Sequence, residues 1–502
     1  MKKKWIIHPF LFAVIPVLHI FSNNAGKVDI TVIIMPLAIS LFFTIALWSF
    51  LTFALKDVKR AGIIVSIFLL LFFSYGHFYH GLGNLSLMGA SLGRHRFLLP
   101  VWAFITVLST FIFLKIRRPL NGFNSFLNVT ASVVIISSLF NIGVYESAKA
   151  RNKKDSGGIE FKSAEKENVL PDIYYIILDA YTNPEVLKDM LGYDEKSLIN
   201  YLNDKGFYIA KDGRTNYTST CLSLACSLNM RYIHKGENSV ELVRSNTVMP
   251  LLKSHGYKIV NIPSGYSDTA PIHSVDFEIN VSGYHEFTIT LLETSLLYPF
   301  TQTKIFDYIS LHRKRILETF DMIPKVRSRL KGPFFIFAHI VCPHPPYLFG
   351  KESALTERSR FETFEDSGNF MLVNNNWSPE FKADYLNQVS FVNKKVRLLV
   401  EQILKNSEIP PIIILQADHG SAFEMYKIKS GTVAARQTET SIKERSGILN
   451  AYYLPEEGRE LLYDSITPVN TFRLVFNTIF NADFELLEDR VYWYDFAEVT
   501  EF

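Results

Sequence analysis

Long apolar stretches separated by short polar breaks fill the first 148 residues of the chain. A helix of about 20 apolar residues crosses the hydrocarbon core of a bilayer, which is roughly 30 Å thick. The pattern predicts about five transmembrane helices, which run roughly from Trp5 to Phe21, Val28 to Leu55, Ala61 to Gly76, Phe97 to Leu114 and Phe126 to Val144. A cleaved signal peptide is the alternative for the first stretch, but no small-residue cleavage site follows it.

The Lys and Arg residues of the short loops predict the orientation, because basic loops are retained on the cytoplasmic side. Basic residues before the first, after the second and after the fourth stretch are Lys2, Lys3, Lys4, Lys56, Lys59, Arg60, Lys115, Arg117 and Arg118. The alternate loops carry only Lys27, Arg94 and Arg96. The N-terminus is therefore predicted to be cytoplasmic, and five crossings place everything after Val144 outside. Four basic residues follow the fifth stretch, but long domains cross largely regardless of charge.

Beyond the apolar region the chain changes character twice. Residues 149–170 are charged and contain a Gly pair, which is typical of a linker. Residues 171–502 are long enough for one domain with its own core. The sequence thus predicts a transmembrane helical domain at 1–148, a linker at 149–170 and an extracytoplasmic domain at 171–502. A polar stretch at 351–379 is typical of a surface insertion or lid.

The composition agrees with a membrane protein and excludes several other classes. Apolar residues make up 48% and charged residues only 20% of the chain. Lys and Arg number 52 against 49 Asp and Glu, too balanced a charge for a protein that binds nucleic acid by neutralising phosphates. Three cysteines in 502 residues exclude a disulfide framework.

Three short apolar runs in the C-terminal part each lead to a residue that can bind a metal or move a proton. They are residues 172–178 before Asp179, residues 333–338 before His339, and residues 411–415 before Asp418-His419-Gly420. Helical patterns at 185–205, 241–255 and 380–405 alternate with them. This order predicts an α/β domain with a mostly parallel sheet between helices.

The carboxyl ends of parallel strands meet at one edge of a sheet, where ligands bind. We therefore expect Asp179, His339, Asp418 and His419 to face one crevice. Taken singly, each Asp is more typical of a turn or a helix N-cap, and His339 of a structural histidine. Three strands that end in this way favour a site, and an adjacent carboxylate and imidazole suit a divalent cation.

Hydroxyl residues are frequent at the start of the segment from Arg214 to Met230. A small-residue helical pattern follows within this segment, from Leu222 to Leu228. A Thr or Ser at such a helix start lies near free backbone N–H groups and the positive end of the helix dipole. With a cation to lower its pKa, this hydroxyl becomes a nucleophile. A helix N-cap without chemistry is the alternative.

Together these residues resemble the alkaline phosphatase and sulfatase superfamily, in particular its membrane-anchored lipoteichoic acid synthases and lipid A phosphoethanolamine transferases. The resemblance covers most of residues 171–477. Its motifs are Leu178-Asp-Ala-Tyr181, Thr220-Cys-Leu-Ser223, Pro343-His-Pro-Pro-Tyr347 and Ala417-Asp-His-Gly420. It implies a sulfatase-like catalytic domain in which Asp179, Thr220, Asp418 and His419 bind the metal.

The resemblance also implies roles for single residues. Thr220, with Thr218 as the alternative, would be the nucleophile. His344 would bind the phosphoryl or sulfuryl group, with His339 as a second substrate-binding residue. Two departures stand out: Asp179 replaces the Glu of many such transferases, and the sulfatase motif C-x-P-S-R is absent. We therefore do not expect Cys221 to mature to formylglycine.

These observations predict a metal-dependent phosphotransferase with a Zn²⁺ or Mn²⁺ ion. It would move a phospho-head-group from a membrane phospholipid donor to a cell-envelope glycan or lipid through a phospho-threonine intermediate. One alternative is a membrane-tethered phosphodiesterase or sulfuric-ester hydrolase, and another is a non-enzymatic member with a structural role. The resemblance implies a multi-pass protein of the bacterial inner or plasma membrane, with the lipid bilayer and no nucleic acid among its partners.

Overall fold

A computed structural model of the protein describes residues 5–25, 28–83, 86–87, 90–91, 94–152, 170–194, 196–269, 272–301, 307–350, 379–427, 437–495 and 498–501. Most of the predicted linker at 149–170 and nearly all of the polar insertion at 351–379 lie outside the described residues.

The helices of the described residues fall into an N-terminal series of long elements and a later series of shorter ones. In chain order they are α1 (His8–Asn23), α2 (Ile34–Leu55), α3 (Val58–Gly83), α4 (His95–Lys115), α5 (Asn121–Asn152), α6 (Pro184–Asp189), α7 (Lys196–Asp204), α8 (Thr220–Asn229), α9 (Ser239–Arg244), α10 (Val248–Ser254), α11 (Glu286–Thr294), α12 (Tyr298–Thr301), α13 (Tyr308–Met322), α14 (Val326–Arg329), α15 (Pro379–Asn406), α16 (Phe423–Lys427), α17 (Glu439–Ser446), α18 (Glu456–Arg459) and α19 (Pro468–Phe480). Short 3-10 helices lie at Ile30–Ile33, Ser267–Thr269 and Ile323–Lys325.

The strands of the described residues form one large sheet and two small hairpins. They are β1 (Ser86–Leu87), β2 (Ala90–Ser91), β3 (Ile173–Leu178), β4 (Tyr208–Ile209), β5 (Lys258–Ile262), β6 (Phe277–Glu278), β7 (Phe334–Ile340), β8 (Ile412–Gln416), β9 (Asn450–Tyr453), β10 (Tyr492–Asp495) and β11 (Glu498–Glu501). The large sheet has the order β4-β9-β8-β3-β7-β5-β6. Within this sheet, the β8–β9 and β4–β9 pairs are antiparallel and the other four pairs are parallel, so the predicted mostly parallel sheet is confirmed.

The chain forms two compact units. The helical unit comprises Met1–Gly157 and Tyr284–Tyr308, and the soluble unit comprises Gly158–Gly283 and Ile309–Phe502. The apolar pattern of the first 148 residues did not predict that residues 284–308 belong to the helical unit. The predicted domain boundaries stay a prediction.

Four of the five predicted apolar stretches form helices long and apolar enough to cross a membrane: Ile30–Leu55, Val58–Leu82, His95–Lys115 and Asn121–Ser147. The first stretch forms the shorter α1, of 16 residues. Near the start of α1, His8 hydrogen-bonds Ser66 of α3 at 2.6 Å and Asn124 of α5 at 2.9 Å. These contacts place the beginnings of α1, α3 and α5 at the same end of the helical unit. The number of crossings and the orientation stay predictions.

Both faces of the large sheet are covered, which explains why its strands read as continuous apolar runs. Tyr174, Ile176 and Leu178 of β3 point into one hydrophobic cluster, and Ile173, Tyr175 and Ile177 point into the other. All six side chains are fully buried. A strand of this kind shows no alternation of apolar and polar residues, because neither face meets water.

All three predicted helical patterns form helices, but two of them are each divided into two helices. The pattern at 185–205 forms α6 and α7, with Gly192 at φ +71° between them. The pattern at 241–255 lies on α9 and α10, whereas that at 380–405 forms the single helix α15. Glycine in the left-handed region ends a helix at low cost, which accounts for the first break.

Candidate active site

The three central strands of the sheet bring the candidate residues to one edge. β3 pairs in parallel with β7 on one side and with β8 on the other. Leu178 lies opposite Ile340 and Ile177 lies opposite Gln416, so the three carboxyl ends coincide. Asp179 follows β3, Asp418 lies two residues after β8, and His339 lies within β7 opposite Ile177.

Two buried carboxylates form the centre of the site. Asp179 Oδ2 lies 3.0 Å from His339 Nε2, and Asp418 Oδ1 accepts hydrogen bonds from the backbone N–H groups of Ala180 at 3.1 Å and His419 at 2.9 Å. The remaining oxygens, Asp179 Oδ1 and Asp418 Oδ2, are buried without a hydrogen-bond partner among the described residues. Leaving buried carboxylate oxygens unpaired is costly, so these two atoms fit a bound cation.

Imidazole nitrogens surround these oxygens at distances that suit a metal site. Asp179, His339 and Asp418 each offer a ligand atom within 4.8 Å of the others. His419 Nε2 lies 3.4 Å from Asp418 Oδ2 and 3.8 Å from Asp179 Oδ1. His419 Nδ1 lies 3.0 Å from the Gly420 carbonyl oxygen, which requires Nδ1–H to donate and leaves the Nε2 lone pair facing the carboxylates. The donor set fits a divalent metal ion.

His339 lies among the candidate metal-binding atoms, whereas the sequence predicted a substrate-binding role for it. Its Nε2 faces Asp179, and its Nδ1 lies 2.9 Å from Thr269 Oγ1, which in turn lies 2.9 Å from Ser264 Oγ. The ring is thus held between a hydroxyl and a carboxylate. This position suits a metal ligand or a partner of Asp179 as well as the substrate-binding role expected of it.

The candidate nucleophile lies beside this group. Thr220 is the first residue of α8, and its Oγ1 lies 3.2 Å from His419 Nε2. The preceding Ser219 makes no side-chain hydrogen bond to the helix end. For Thr218, the backbone N–H donates to the Tyr492 carbonyl at 3.2 Å, and the backbone carbonyl accepts from Arg445 Nε at 3.3 Å.

His344 also lies near the centre. Its ring centroid is 6.4 Å from that of His419, and its backbone N–H donates to the Asp179 carbonyl at 3.0 Å. Gln388 of α15 donates to the His344 carbonyl at 2.9 Å and to the Pro343 carbonyl at 3.1 Å. The backbone of this loop is therefore fixed, while the half-buried imidazole remains accessible.

The electrostatics keep the carboxylate charged and the imidazole neutral. Burial by itself raises the pKa of Asp179, but His344, His339 and His419 outweigh it and hold this pKa well below its usual range. Burial and then the charge of Arg445 lower the pKa of His419 to about 4. A charged Asp179 and a neutral His419 are the protonation states that bind a cation.

Two buried or half-buried groups at the site were not identified from the sequence. Arg445 of α17 places Nη2 3.1 Å from His419 Nε2 and donates from Nη1 to the Gly420 carbonyl at 3.0 Å. His312 of α13 is buried, and its pKa is lowered to about 3, first by burial and then by the charge of Arg315. His344 also lowers the pKa of His312, whereas Asp179 raises it. Both residues lie on helices with many polar neighbours, and no local sequence signal distinguishes them from surface residues.

The turn that carries His419 depends on a close backbone approach. A Cβ on Gly420 would lie 2.2 Å from the Glu444 carbonyl oxygen, so only glycine fits. The Glu444 carboxylate accepts hydrogen bonds from Ser421 Oγ at 2.5 Å and from the backbone N–H groups of Phe423 and Glu424 at 2.9 and 2.7 Å. Residues 444–445 thus fix the loop after β8 from two directions.

A comparison with models of protein families identifies the family of the chain. The family model described as Sulfatase matches residues 171–473. No curated protein matches the chain. Similar solved structures include the C-terminal periplasmic domain of EcEptC from Escherichia coli in complex with Zn, at 12% identity and a TM-score of 0.46 over 68% of this chain and 94% of that chain.

Two further structures extend the comparison. The lipooligosaccharide phosphoethanolamine transferase EptA from Neisseria meningitidis, an integral membrane protein, is 12% identical with a TM-score of 0.42, over 94% of this chain and 95% of that chain. An alkaline phosphatase superfamily protein from Vibrio parahaemolyticus is 10% identical with a TM-score of 0.39, over 64% and 69%. Identities this low do not carry a substrate from one protein to another.

Proposed function

The chain belongs to the sulfatase family, and on that premise we propose that it is a metal-dependent phosphotransferase. It takes a phospho-head-group from a membrane phospholipid and places it on a cell-envelope glycan or lipid, through a phospho-threonine intermediate on Thr220. Membership of this family by itself makes the protein an enzyme that transfers or hydrolyses phosphoryl or sulfuryl esters.

The observation that carries the proposal is the position of the Thr220 hydroxyl. It lies at the N-terminus of α8, 3.2 Å from His419 Nε2, beside two carboxylate oxygens that lack hydrogen-bond partners among the described residues. Backbone N–H groups at a helix start attract the oxygens of a phosphoryl group. A hydroxyl in this place is positioned to attack a phosphorus atom held there.

Two features favour a phospholipid donor over a sulfate ester. Cys221 is followed by Leu-Ser-Leu, which does not support the formylglycine route of sulfate hydrolysis. The described residues include four helices of membrane-spanning length, which favours a donor that is itself in the bilayer. We place the N-terminus in the cytoplasm and the soluble unit outside a bacterial inner or plasma membrane.

A Zn²⁺ or Mn²⁺ ion would be held by Asp179, Asp418, His419 and Thr220. When bound, it would lower the pKa of a bound hydroxyl and polarise a phosphoryl oxygen. In the first step Thr220 Oγ forms a bond to phosphorus, and the bond from phosphorus to the diacylglycerol oxygen breaks. The departing diacylglycerol oxygen takes up a proton. In the second step an acceptor hydroxyl forms the new phosphorus–oxygen bond, and Thr220 is released with its proton restored. His344 would hold the non-bridging oxygens during both steps.

The experiment is a mass analysis of the peptide that contains residues 214–230, after incubation of the purified full-length protein with phospholipid vesicles and no acceptor. We expect a phospho-head-group adduct on Thr220, absent in Thr220→Ala and restored in part by Thr220→Ser. Thr218→Ala is the matched control and should keep the adduct. Full activity in Thr220→Ala, with loss in Thr218→Ala, would make the nucleophile assignment wrong. Product release without an adduct or acceptor would favour the hydrolase.

A further inference from the structure

The chain returns to the helical unit between residues 284 and 308, in the middle of the sequence of the soluble unit. The described part of this segment, residues 284–301, contains α11 and α12, and we call it the docking strap. It contains no Lys or Arg, whereas residues 307–331 carry many. The proposed mechanism makes no use of it.

Apolar side chains of the docking strap are buried against three of the N-terminal helices. Phe287 and Leu291 of α11 form a buried cluster with Val17 and Phe21 of α1. At the other end, Tyr298 forms a second buried cluster, whose members from the helices are Tyr75, Leu98 and Trp102. The Tyr298 ring lies 5.0 Å from Tyr79 and 5.3 Å from His95, edge to face in both cases. Aromatic side chains of this kind are typical of a membrane interface.

Between these clusters, the backbones of the docking strap and α3 approach closely. A Cβ on Gly76 would lie 1.9 Å from the Glu293 carbonyl oxygen and 2.7 Å from Thr294 Cα. Next to this point, the Leu296 N–H donates to the Phe72 carbonyl oxygen at 2.7 Å. In an apolar environment, small residues and backbone contacts bring segments together where apolar area alone does not. The approach at Gly76 is therefore a specific docking contact.

All these contacts lie at one end of the helical unit. They involve the second half of α1, the last turns of α3 and the first turns of α4, whereas His8 marks the opposite end through Ser66 and Asn124. Since α5 begins at the His8 end, its C-terminus lies at the end that bears the docking strap. The chain enters the soluble unit after α5 and again after the strap.

We propose that the docking strap is a second attachment of the soluble unit to the membrane helices, and that this attachment is required for turnover of phosphodiesters embedded in a bilayer. The proposal rests on the proposed function for the lipid donor. The chain passes between the units after residues 157, 283 and 308, so the docked strap adds two covalent connections to the one that follows α5. Attachment of this kind raises the effective concentration of a membrane-bound substrate and leaves the chemistry of the site unchanged.

The test uses two glycines of the same helix in the full-length protein. Gly76→Ala places a Cβ against the Glu293 backbone, whereas Gly81→Ala meets nothing within 4 Å. Docking is read from cleavage by a Glu-specific protease after Glu293, which is 7% exposed. Activity is read in parallel on vesicles of phosphatidylethanolamine and phosphatidylglycerol and on soluble bis(p-nitrophenyl) phosphate.

We expect Gly76→Ala to expose Glu293 to cleavage and to lower turnover of vesicle phospholipid by about 10-fold, because the connection after residue 157 persists and only the effective concentration of the membrane substrate falls. Turnover of the soluble diester should stay at the wild-type rate, and Gly81→Ala should match the wild type in all three measurements. Leu296→Pro, which removes the N–H that donates to Phe72, should reproduce the effect of Gly76→Ala.

Equal losses on both substrates, or exposure of Glu293 without a loss on vesicles, would overturn the role of the docking strap. Protection of Glu293 in both Gly76→Ala and Leu296→Pro would overturn the docking contact itself. A wild-type protein that turns over the soluble diester but no vesicle phospholipid would instead refute the lipid donor of the proposed function, and with it the role of the strap in lipid turnover. The cleavage pattern would still report whether the strap is docked.

Discussion

Replacing Arg445 by glutamine removes the one cationic side chain in contact with His419 among the described residues. Its Nη2 lies 3.1 Å from His419 Nε2, while Nη1 and Nε donate to the backbone carbonyls of Gly420 and Thr218. The hydrogen bonds of Nε and Nη1 therefore fix the guanidinium, and Nη2 points towards the site. A positive charge beside the candidate metal-binding residues opposes cation binding and favours binding of an anionic substrate. Metal affinity and substrate turnover therefore report the two effects separately.

The size of the effect follows from distance. Arg445 Nη2 lies 3.1 Å from His419 Nε2, so a phosphoryl group bound beside His419 would lie about 5 Å from the guanidinium charge. Two unit charges about 5 Å apart interact by roughly 3 kcal/mol at an effective dielectric constant of about 20. Since about 1.4 kcal/mol corresponds to a factor of ten, the charge of Arg445 is worth about 100-fold in binding an anionic phosphoryl group.

The assay measures kcat/KM on a soluble phosphodiester and metal affinity by competition with a chelator, for the wild type, Arg445→Gln and Arg445→Lys. We expect Arg445→Gln to lower kcat/KM by about 100-fold and to leave metal affinity unchanged or higher, because a like charge is removed. Arg445→Lys keeps the charge but loses the planar set of donors, so its kcat/KM should lie between that of the wild type and that of Arg445→Gln. If Arg445→Gln loses metal together with activity, Arg445 stabilises the site and does not bind the substrate.

Two further predictions concern the framework of the soluble unit. Gly420→Ala should lower Tm and metal content together, since its Cβ would lie 2.2 Å from the Glu444 carbonyl oxygen and overpacking costs about 1–3 kcal/mol; unchanged metal content would contradict this reasoning. Burial raises the pKa of Asp172 to about 6 against the partial effect of Arg327, so the folded protein binds its proton more tightly than the unfolded chain and loses stability as pH rises from about 4 to 6. Asp172→Asn should therefore raise Tm relative to the wild type at pH 7.5 but not at pH 4, without a change in kcat, and equal Tm differences at both pH values would refute it.

The sequence determined the elements that depend on local pattern. Long apolar stretches set the membrane helices, because every backbone polar group in a bilayer must be paired within the segment. The runs at 172–178, 333–338 and 411–415 set the central strands, because strands covered on both faces are nearly continuous apolar runs. The motifs around Asp179, Thr220, His344 and Asp418 that carry the resemblance were also visible, since each is a short continuous stretch of sequence.

Element lengths were predicted less well. The first apolar stretch forms a helix of 16 residues, shorter than the other four, and two of the predicted helices are each interrupted. The hydrophobic pattern of a stretch of sequence does not show where the helix ends and the chain turns towards the next element. Gly192, at φ +71°, shows that a single backbone conformation decides such a break.

Only the tertiary structure brought together residues that are distant in sequence. Arg445 lies 26 residues from His419, and α17 shows no feature that points to the site. The docking strap belongs to the helical unit although it lies within the sequence of the soluble unit. Such contacts depend on backbone approaches of the kind seen at Gly76 and Gly420. Periodicity reports which face of an element is apolar, and only the folded chain decides which partner that face meets.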